Sequence, residues 1–237
     1  MGRLSRYCFA ATVVSALSPL AWRHAEGSAS AAATEFVGIK LGDFQSHYRA
    51  QQQSMWCWAS CAEMVLSYES INLPQEAIVN AIKGFGVPGF TPNQGGNPVE
   101  MIRSTNHFIK TQDGDTAVVS GQFVAGAPLP NVIYNHLKRK KPFILTYQSG
   151  PWMGHAVVVH GMDIHVDEDR AGQEIEPVVL HVADPFCYSQ AYDRFGRPIL
   201  TKDDSLRFRK YAWRPTEGAD PFPGAISGAI LVEATLR

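Results

Sequence analysis

A thiol, an imidazole and a carboxylate occupy positions in this sequence from which they can act together. Cys57 lies in "QQQSMWCWASCAEMV", His155 in "GPWMGHAVVVHGMD" and Asp184 in "VVLHVADPF". A thiol is a good nucleophile only as thiolate, and the unsatisfied N–H groups of a helix N-terminus favour that form. Cys57 opens a stretch in which Trp58, Cys61, Ala62, Val65 and Leu66 recur at helical spacing, so it stands where a helix would begin. His155 follows a glycine at the head of a strand-like run. Its ring can take the thiol proton and later return it to a leaving group. Asp184 ends the next strand-like run and is the candidate to hold the ring.

A direct cross-strand pairing of His155 with Asp184 would centre the connecting turn on Asp169 and Arg170, in the charged, glycine-containing segment "VDEDRAGQE". Opposed residues of antiparallel strands have Cβ atoms about 4.5–5.5 Å apart, close enough for ring and carboxylate to meet. Asp163 is a poorer partner, because along one strand it would lie about 26 Å from His155 at about 3.3 Å per residue. His160 has the opposite parity and is expected on the other face. The backbone N–H of Cys57 can stabilise an oxyanion, and a side-chain amide upstream can add a second donor. Gln51 is the candidate for that donor.

These residues must be positioned by two kinds of element. "WCWASCAEMVLSY", "PQEAIVNAIKG", "PVEMIRSTNHF" and "LPNVIYNHLKRKK" read as helices. "PFILTYQ", "HAVVVHGM", "PVVLHVAD", "FRKYAWR" and "GAILVEATL" read as strands, being short, branched and bounded by breakers. Helices followed by strands predict an α+β domain, with an N-terminal helical lobe on a C-terminal antiparallel β-sheet and a cleft at the seam. No linker divides residues 35–237, so one domain is expected there.

The N-terminus reads differently. Arg3 and Arg6 precede an apolar run, Tyr7 to Ala21, and then small residues in "GSASAAAT". That is the order of a secretory signal peptide, placed at residues 1–25 with a cut that can extend to about 33. The run is short of the roughly 20 residues of a spanning helix, so no stable membrane association is expected once it is removed. Export to the periplasm or beyond leaves Cys57, Cys61 and Cys187. With an odd count in an oxidising compartment, the simplest arrangement is a Cys61–Cys187 disulfide and a free Cys57.

A net charge of −1 gives no reason to expect nucleic acid, and the cations of "KRKK" read as a solvated helix end. His160, Asp163, His165 and Asp167 read as polar surface rather than a metal site. No metal or organic cofactor is expected, and a monomer is. Trp56, Trp58 and Trp152 are candidate walls of the cleft.

Gln51, then Cys57-Trp58 at the head of a helix, then "GHAVVVHG", resemble the papain-like cysteine peptidases. "WCWAS" is similar to secreted and effector cysteine proteases of plant-associated bacteria, and the "ADP" ending to peptidases that trim bacteriocin leaders. The resemblance runs from about Gln51 to Pro185. It implies a papain-like fold, a Cys57–His155–Asp184 triad, Gln51 in the oxyanion hole, and hydrolysis of peptides or proteins through a thioester. Amide hydrolysis on cell-wall peptides, acyl transfer by the same triad, or a non-catalytic binding module on such a scaffold are the alternatives.

Overall fold

The computed structural model describes residues 34–84, 90–110, 116–150, 154–165, 175–213 and 218–236. The expected signal segment and Trp152 lie outside them. Residues 32–237 form one compact unit. Along it run β1 (Thr34–Gly38), α1 (Leu41–Phe44), α2 (Cys57–Tyr68), α3 (Gln75–Lys83), α4 (Pro98–Ser104), β2 (His107–Lys110), β3 (Thr116–Ala125), α5 (Pro130–Lys138), β4 (Phe143–Gln148), β5 (Gly154–His165), β6 (Glu176–Ala183), β7 (Tyr188–Tyr192), β8 (Pro198–Lys202), β9 (Phe208–Ala212), β10 (Asp220–Pro221) and β11 (Ala225–Leu236).

Among the described residues, one sheet runs in the order β10-β9-β6-β5-β4-β11-β3-β2, with β1 also paired to β5; β7 and β8 form a separate hairpin. The pairings are antiparallel except β10 with β9. The fold is therefore mixed α/β around a large sheet. It is less cleanly split than helices first and strands second. β1 precedes every helix, and β2 and β3 fall between α4 and α5. "TAVVSGQFVA" carries little apolar alternation, yet it pairs along almost its whole length with β11. The reading of "PVEMIRSTNHF" as one helix is also shortened. α4 starts with a capping box between Asn97 and Glu100 and Pro98 in its first turn. It stops where the hydroxyls of Ser104 and Thr105 bond back to the Met101 carbonyl, and β2 takes over.

Two apolar layers flank the sheet. One joins α2 to Ile144, Ala156, Val158, Ala183, Ile230 and Val232 of the strands. The other joins Ile133 and Leu137 of α5 to Phe143, Leu145, Tyr147, Val157 and Val159. Alternate residues of β4 and β5 thus feed opposite layers, as a pleat requires. α2 is buried on nearly every side, from Trp58 to Leu66. Each large apolar side chain so enclosed contributes about 1.5–3 kcal/mol, which fixes the helix, and Cys57 at its head, on the sheet.

Candidate active site

Cys57 is the first residue of α2, as its sequence position predicts, and is half-buried. The first N–H groups of a helix have no partner inside it, so they surround the thiol with donors. The loop in front is held from several directions. Gln75, 1% exposed, donates from Nε2 to the Ala50 carbonyl and accepts the Gln52 N–H. Its Nε2 also reaches the Glu63 carboxylate at 2.9 Å. Ser60 Oγ donates to the Arg49 carbonyl, and Asn93 Oδ1 accepts the Met55 N–H. The Gln51 N–H bonds to the Pro185 carbonyl, which ties the loop before Cys57 to the loop after Asp184.

His155 meets Asp184: Nε2 lies 2.7 Å from Oδ1, and the side chains are 16% and 5% exposed. The register differs from direct opposition. Val158 pairs with Ala183 and Val159 with Val182, so continuing the ladder sets Asp184 against Val157. His155 and Asp184 are diagonal neighbours on one face, a separation of about 7–8 Å that side chains can bridge. Asp184 is held in turn. Its N–H bonds to the Arg207 carbonyl, its carbonyl accepts the Tyr48 hydroxyl, and its Oδ1 also accepts the Phe186 N–H.

With Nε2 committed to Asp184, the other side of the ring is left for sulfur, and the Cys57 thiol and His155 are within hydrogen-bonding reach. Burial alone would lower the imidazole pKa. The hydrogen bonds to Asp184 and Cys57, with the negative charge they carry, outweigh it and raise the value to about 10. The ring stands between Tyr147, whose centroid is 5.5 Å away at 78°, and Phe186, 6.5 Å away at 85°. Both contacts have the edge-to-face geometry that aromatic rings favour. This arrangement supports nucleophilic attack by sulfur with proton transfer through the ring.

Gln51 lies beside this centre, but its amide is engaged. Nε2 donates to the Gln53 and Ser54 carbonyls, each at 2.9 Å, so both amide protons are held. Oε1 is buried and meets no donor among the described residues.

Several expectations are corrected. Trp56 and Trp58 are not walls of an open cleft: they are 3% and 1% exposed. Their indoles sit in the α2 layer and donate to the carbonyls of Pro92 and Gln94. Burying an indole calls for a partner for its N–H, and here those bonds anchor the segment at residues 92–94 to α2. Cys61 and Cys187 are both free thiols and both 0% exposed. Cys61 is enclosed among the apolar side chains of α2, and Cys187 is in hydrogen-bonding contact with the Tyr48 hydroxyl. Burial pushes the Cys61 thiol well above its ordinary pKa, with the charges near Cys57 and Asp184 adding to the effect. It is therefore poorly suited to attack. His160 is core rather than polar surface. It is 3% exposed, its Nδ1 bonds to the Ile39 carbonyl, and its ring stacks on Phe44 at 5.2 Å. Asp163 pairs with His181 at 2.9 Å. Asp167 lies outside the described residues.

The roles of Tyr48, Gln75 and Phe186 were missed in the sequence. Tyr48 and Gln75 act through contacts between segments remote in the chain, which no local spacing encodes; Phe186 bonds two residues back to Asp184 Oδ1 and meets the His155 ring only across the fold.

A match to the Peptidase_C39 like family spans residues 45–214. Among solved structures, the peptidase domain of Streptococcus ComA, a bifunctional ABC transporter involved in a quorum-sensing pathway, is similar at 12% identity and a TM-score of 0.38, covering 78% of this chain and 95% of that one. No curated protein matches the chain.

Proposed function

The chain belongs to the Peptidase_C39-like family and is a papain-like cysteine peptidase, and we propose on that premise that it is an exported, monomeric endopeptidase working through Cys57, His155 and Asp184. Its domain extends over residues 35–237, behind a cleaved signal peptide, with helices and sheet meeting at the substrate cleft. The observation that carries the assignment is the shared imidazole: His155 is bonded to Asp184 at 2.7 Å on one side and reaches the Cys57 thiol on the other.

The steps follow from that geometry. His155 takes the proton of Cys57, and Asp184 stabilises the imidazolium that results. The sulfur attacks a peptide carbonyl, forming an S–C bond and placing negative charge on the oxygen. The Cys57 N–H at the head of α2 receives that charge. Gln51 joins it by exchanging one of its loop carbonyls for the oxyanion. The tetrahedral adduct collapses, the C–N bond breaks, and His155 gives its proton to the departing amine. Water, deprotonated by His155, then attacks the thioester and releases the acid and the thiol. No metal takes part in this sequence.

Hydrolysis of an unfolded protein substrate tests the reading. Cys57→Ala and His155→Ala should each abolish turnover while the chain keeps its circular dichroism spectrum. Undiminished turnover in either variant would sink it.

A further inference from the structure

The turn before Cys57 is clamped from outside by one side chain. The Gln53 carbonyl accepts the Trp56 N–H at 3.1 Å, which closes a turn with Ser54 and Met55 at its centre. The Ser54 carbonyl and the Met55 N–H belong to one planar trans peptide and point to opposite edges of it. Gln51 Nε2 donates to that carbonyl at 2.9 Å. Asn93 Oδ1 accepts that N–H at 3.0 Å, and Asn93 Nδ2 donates to the Ser54 hydroxyl, also at 3.0 Å. One peptide thus stands between the Gln51 amide and Asn93. Asn93 is itself held. Trp56 and Trp58, on either side of Cys57, donate to the carbonyls of Pro92 and Gln94, on either side of Asn93. Lys83 Nζ donates to the Gly95 carbonyl at 2.7 Å. Gly96 lies so close to the Trp58 ring that an added Cβ would fall 2.6 Å from its Cγ and Cδ2. The segment that carries Asn93 is therefore fixed against α2 on both sides of it.

We propose that Asn93 is a positioning residue for the oxyanion donor: by holding the Ser54–Met55 peptide it fixes the direction of the Gln51 amide. Two observations make this route specific. The amide is oriented from its nitrogen alone, because Gln51 Oε1 is buried and meets no donor among the described residues. Its two acceptors are also unequal. The Gln53 carbonyl keeps the Trp56 N–H when Gln51 leaves it, so that bond is the one surrendered to the oxyanion. The Ser54 carbonyl is the anchor that stays, and Asn93 holds the far edge of its peptide. With Asn93 removed, water alone holds that edge. The peptide plane can then tilt and carry the Ser54 carbonyl off the amide. The inference rests on Gln51 serving the Cys57–His155 centre, and its test separates the two.

Turnover of an unfolded protein substrate is measured across substrate concentrations for Asn93→Ala and Asn93→Asp, each alone and combined with Gln51→Ala. Asn93 is exposed, so the variants should fold, and urea denaturation checks that they do. Asn93→Ala should lower kcat about tenfold with KM little changed, the scale of one or two hydrogen bonds lost. Asn93→Asp keeps an acceptor for the Met55 N–H and should restore most of kcat. In the Gln51→Ala background Asn93→Ala should do nothing more, because the group it acts through is gone. In an active chain, a kcat loss that is equal in both backgrounds, or no loss in either, overturns the proposal and leaves the catalytic reading standing. The side-chain amide signals of the chain carrying isotope-labelled glutamine are recorded in parallel by NMR, that of Gln51 being identified by its disappearance in Gln51→Ala. This signal should shift and exchange faster with water in Asn93→Ala, and return toward its wild-type position in Asn93→Asp. A Gln51 signal unmoved by Asn93→Ala also overturns the proposal. A signal that moves in a chain without turnover supports the link from Asn93 to Gln51 and removes the catalytic reading.

Discussion

His155 Nε2 lies 2.7 Å from Asp184 Oδ1, although the two residues do not face each other across the ladder. The contact is diagonal, and it holds because Asp184 is fixed at three atoms by Arg207, Tyr48 and Phe186. A carboxylate so restrained orients the ring and keeps a proton on it.

Replacing Asp184 by Asn should therefore move the alkaline limb of the pH–rate profile to lower pH. In the wild type the imidazole pKa is raised from 6.5 to about 10, so the charged ring persists until pH approaches that value. Without the carboxylate charge the ring loses its proton earlier. The same linkage acts on stability: the contribution of protonated His155 is complete below the unfolded value of 6.5 and is lost as pH rises through the folded one. Denaturant titrations between neutral pH and pH 10 should show stability declining more in the wild type than in His155→Gln. A parallel decline in both would contradict the shift.

Selective alkylation should distinguish the cysteines. Cys57 is half-buried at a helix head, while Cys61 and Cys187 are fully enclosed. Iodoacetamide at mild pH, followed by peptide mass mapping, should place the adduct on Cys57 in the native chain and on all three only after unfolding. Native labelling of Cys61 ahead of Cys57 would reverse the assignment.

Gln51→Ala should lower kcat by about 10²–10³-fold with a smaller change in KM, the signature of a donor that acts on the transition state. Its amide protons are tied to Gln53 and Ser54 in the free protein, so a purely structural role is the competing outcome. In that case thermal stability would fall and kcat would follow only in proportion to the unfolded fraction.

Gln75→Leu should lower both stability and activity. It leaves the Ala50 carbonyl and the Gln52 N–H without the partner that fixes the loop before Cys57. Unmaking such buried bonds costs about 1–3 kcal/mol. Urea denaturation measures the first effect, and turnover at saturating substrate the second. An unchanged kcat would mean that the loop holds its shape without this glutamine.

Much of the site was legible because local spacing carries it. Helical periodicity placed Cys57 at the head of α2, and branched runs placed His155 and Asp184 at strand ends. Burial was legible for Trp56, Trp58 and Cys61 only as apolar character. Whether an indole lines a cleft or a core depends on what packs over it, and the Pro92 and Gln94 carbonyls that hold these rings come from a distant loop. The cysteine count argued for a disulfide, yet a bond requires two sulfurs in register, and Cys61 and Cys187 are engaged with other neighbours.

The sequence by itself determined which residues begin a helix or end a strand, since φ/ψ preference and hydrophobic period act over a few neighbours. Tertiary structure decided the diagonal His155–Asp184 register, the engagement of the Gln51 amide and the free state of Cys61 and Cys187. The register and the burial of the two thiols depend on packing between segments distant in the chain, such as Tyr48 with Asp184, and the Gln51 amide turns to the nearby Gln53 and Ser54 carbonyls within the loop shape that such packing holds; neither leaves a trace in local spacing.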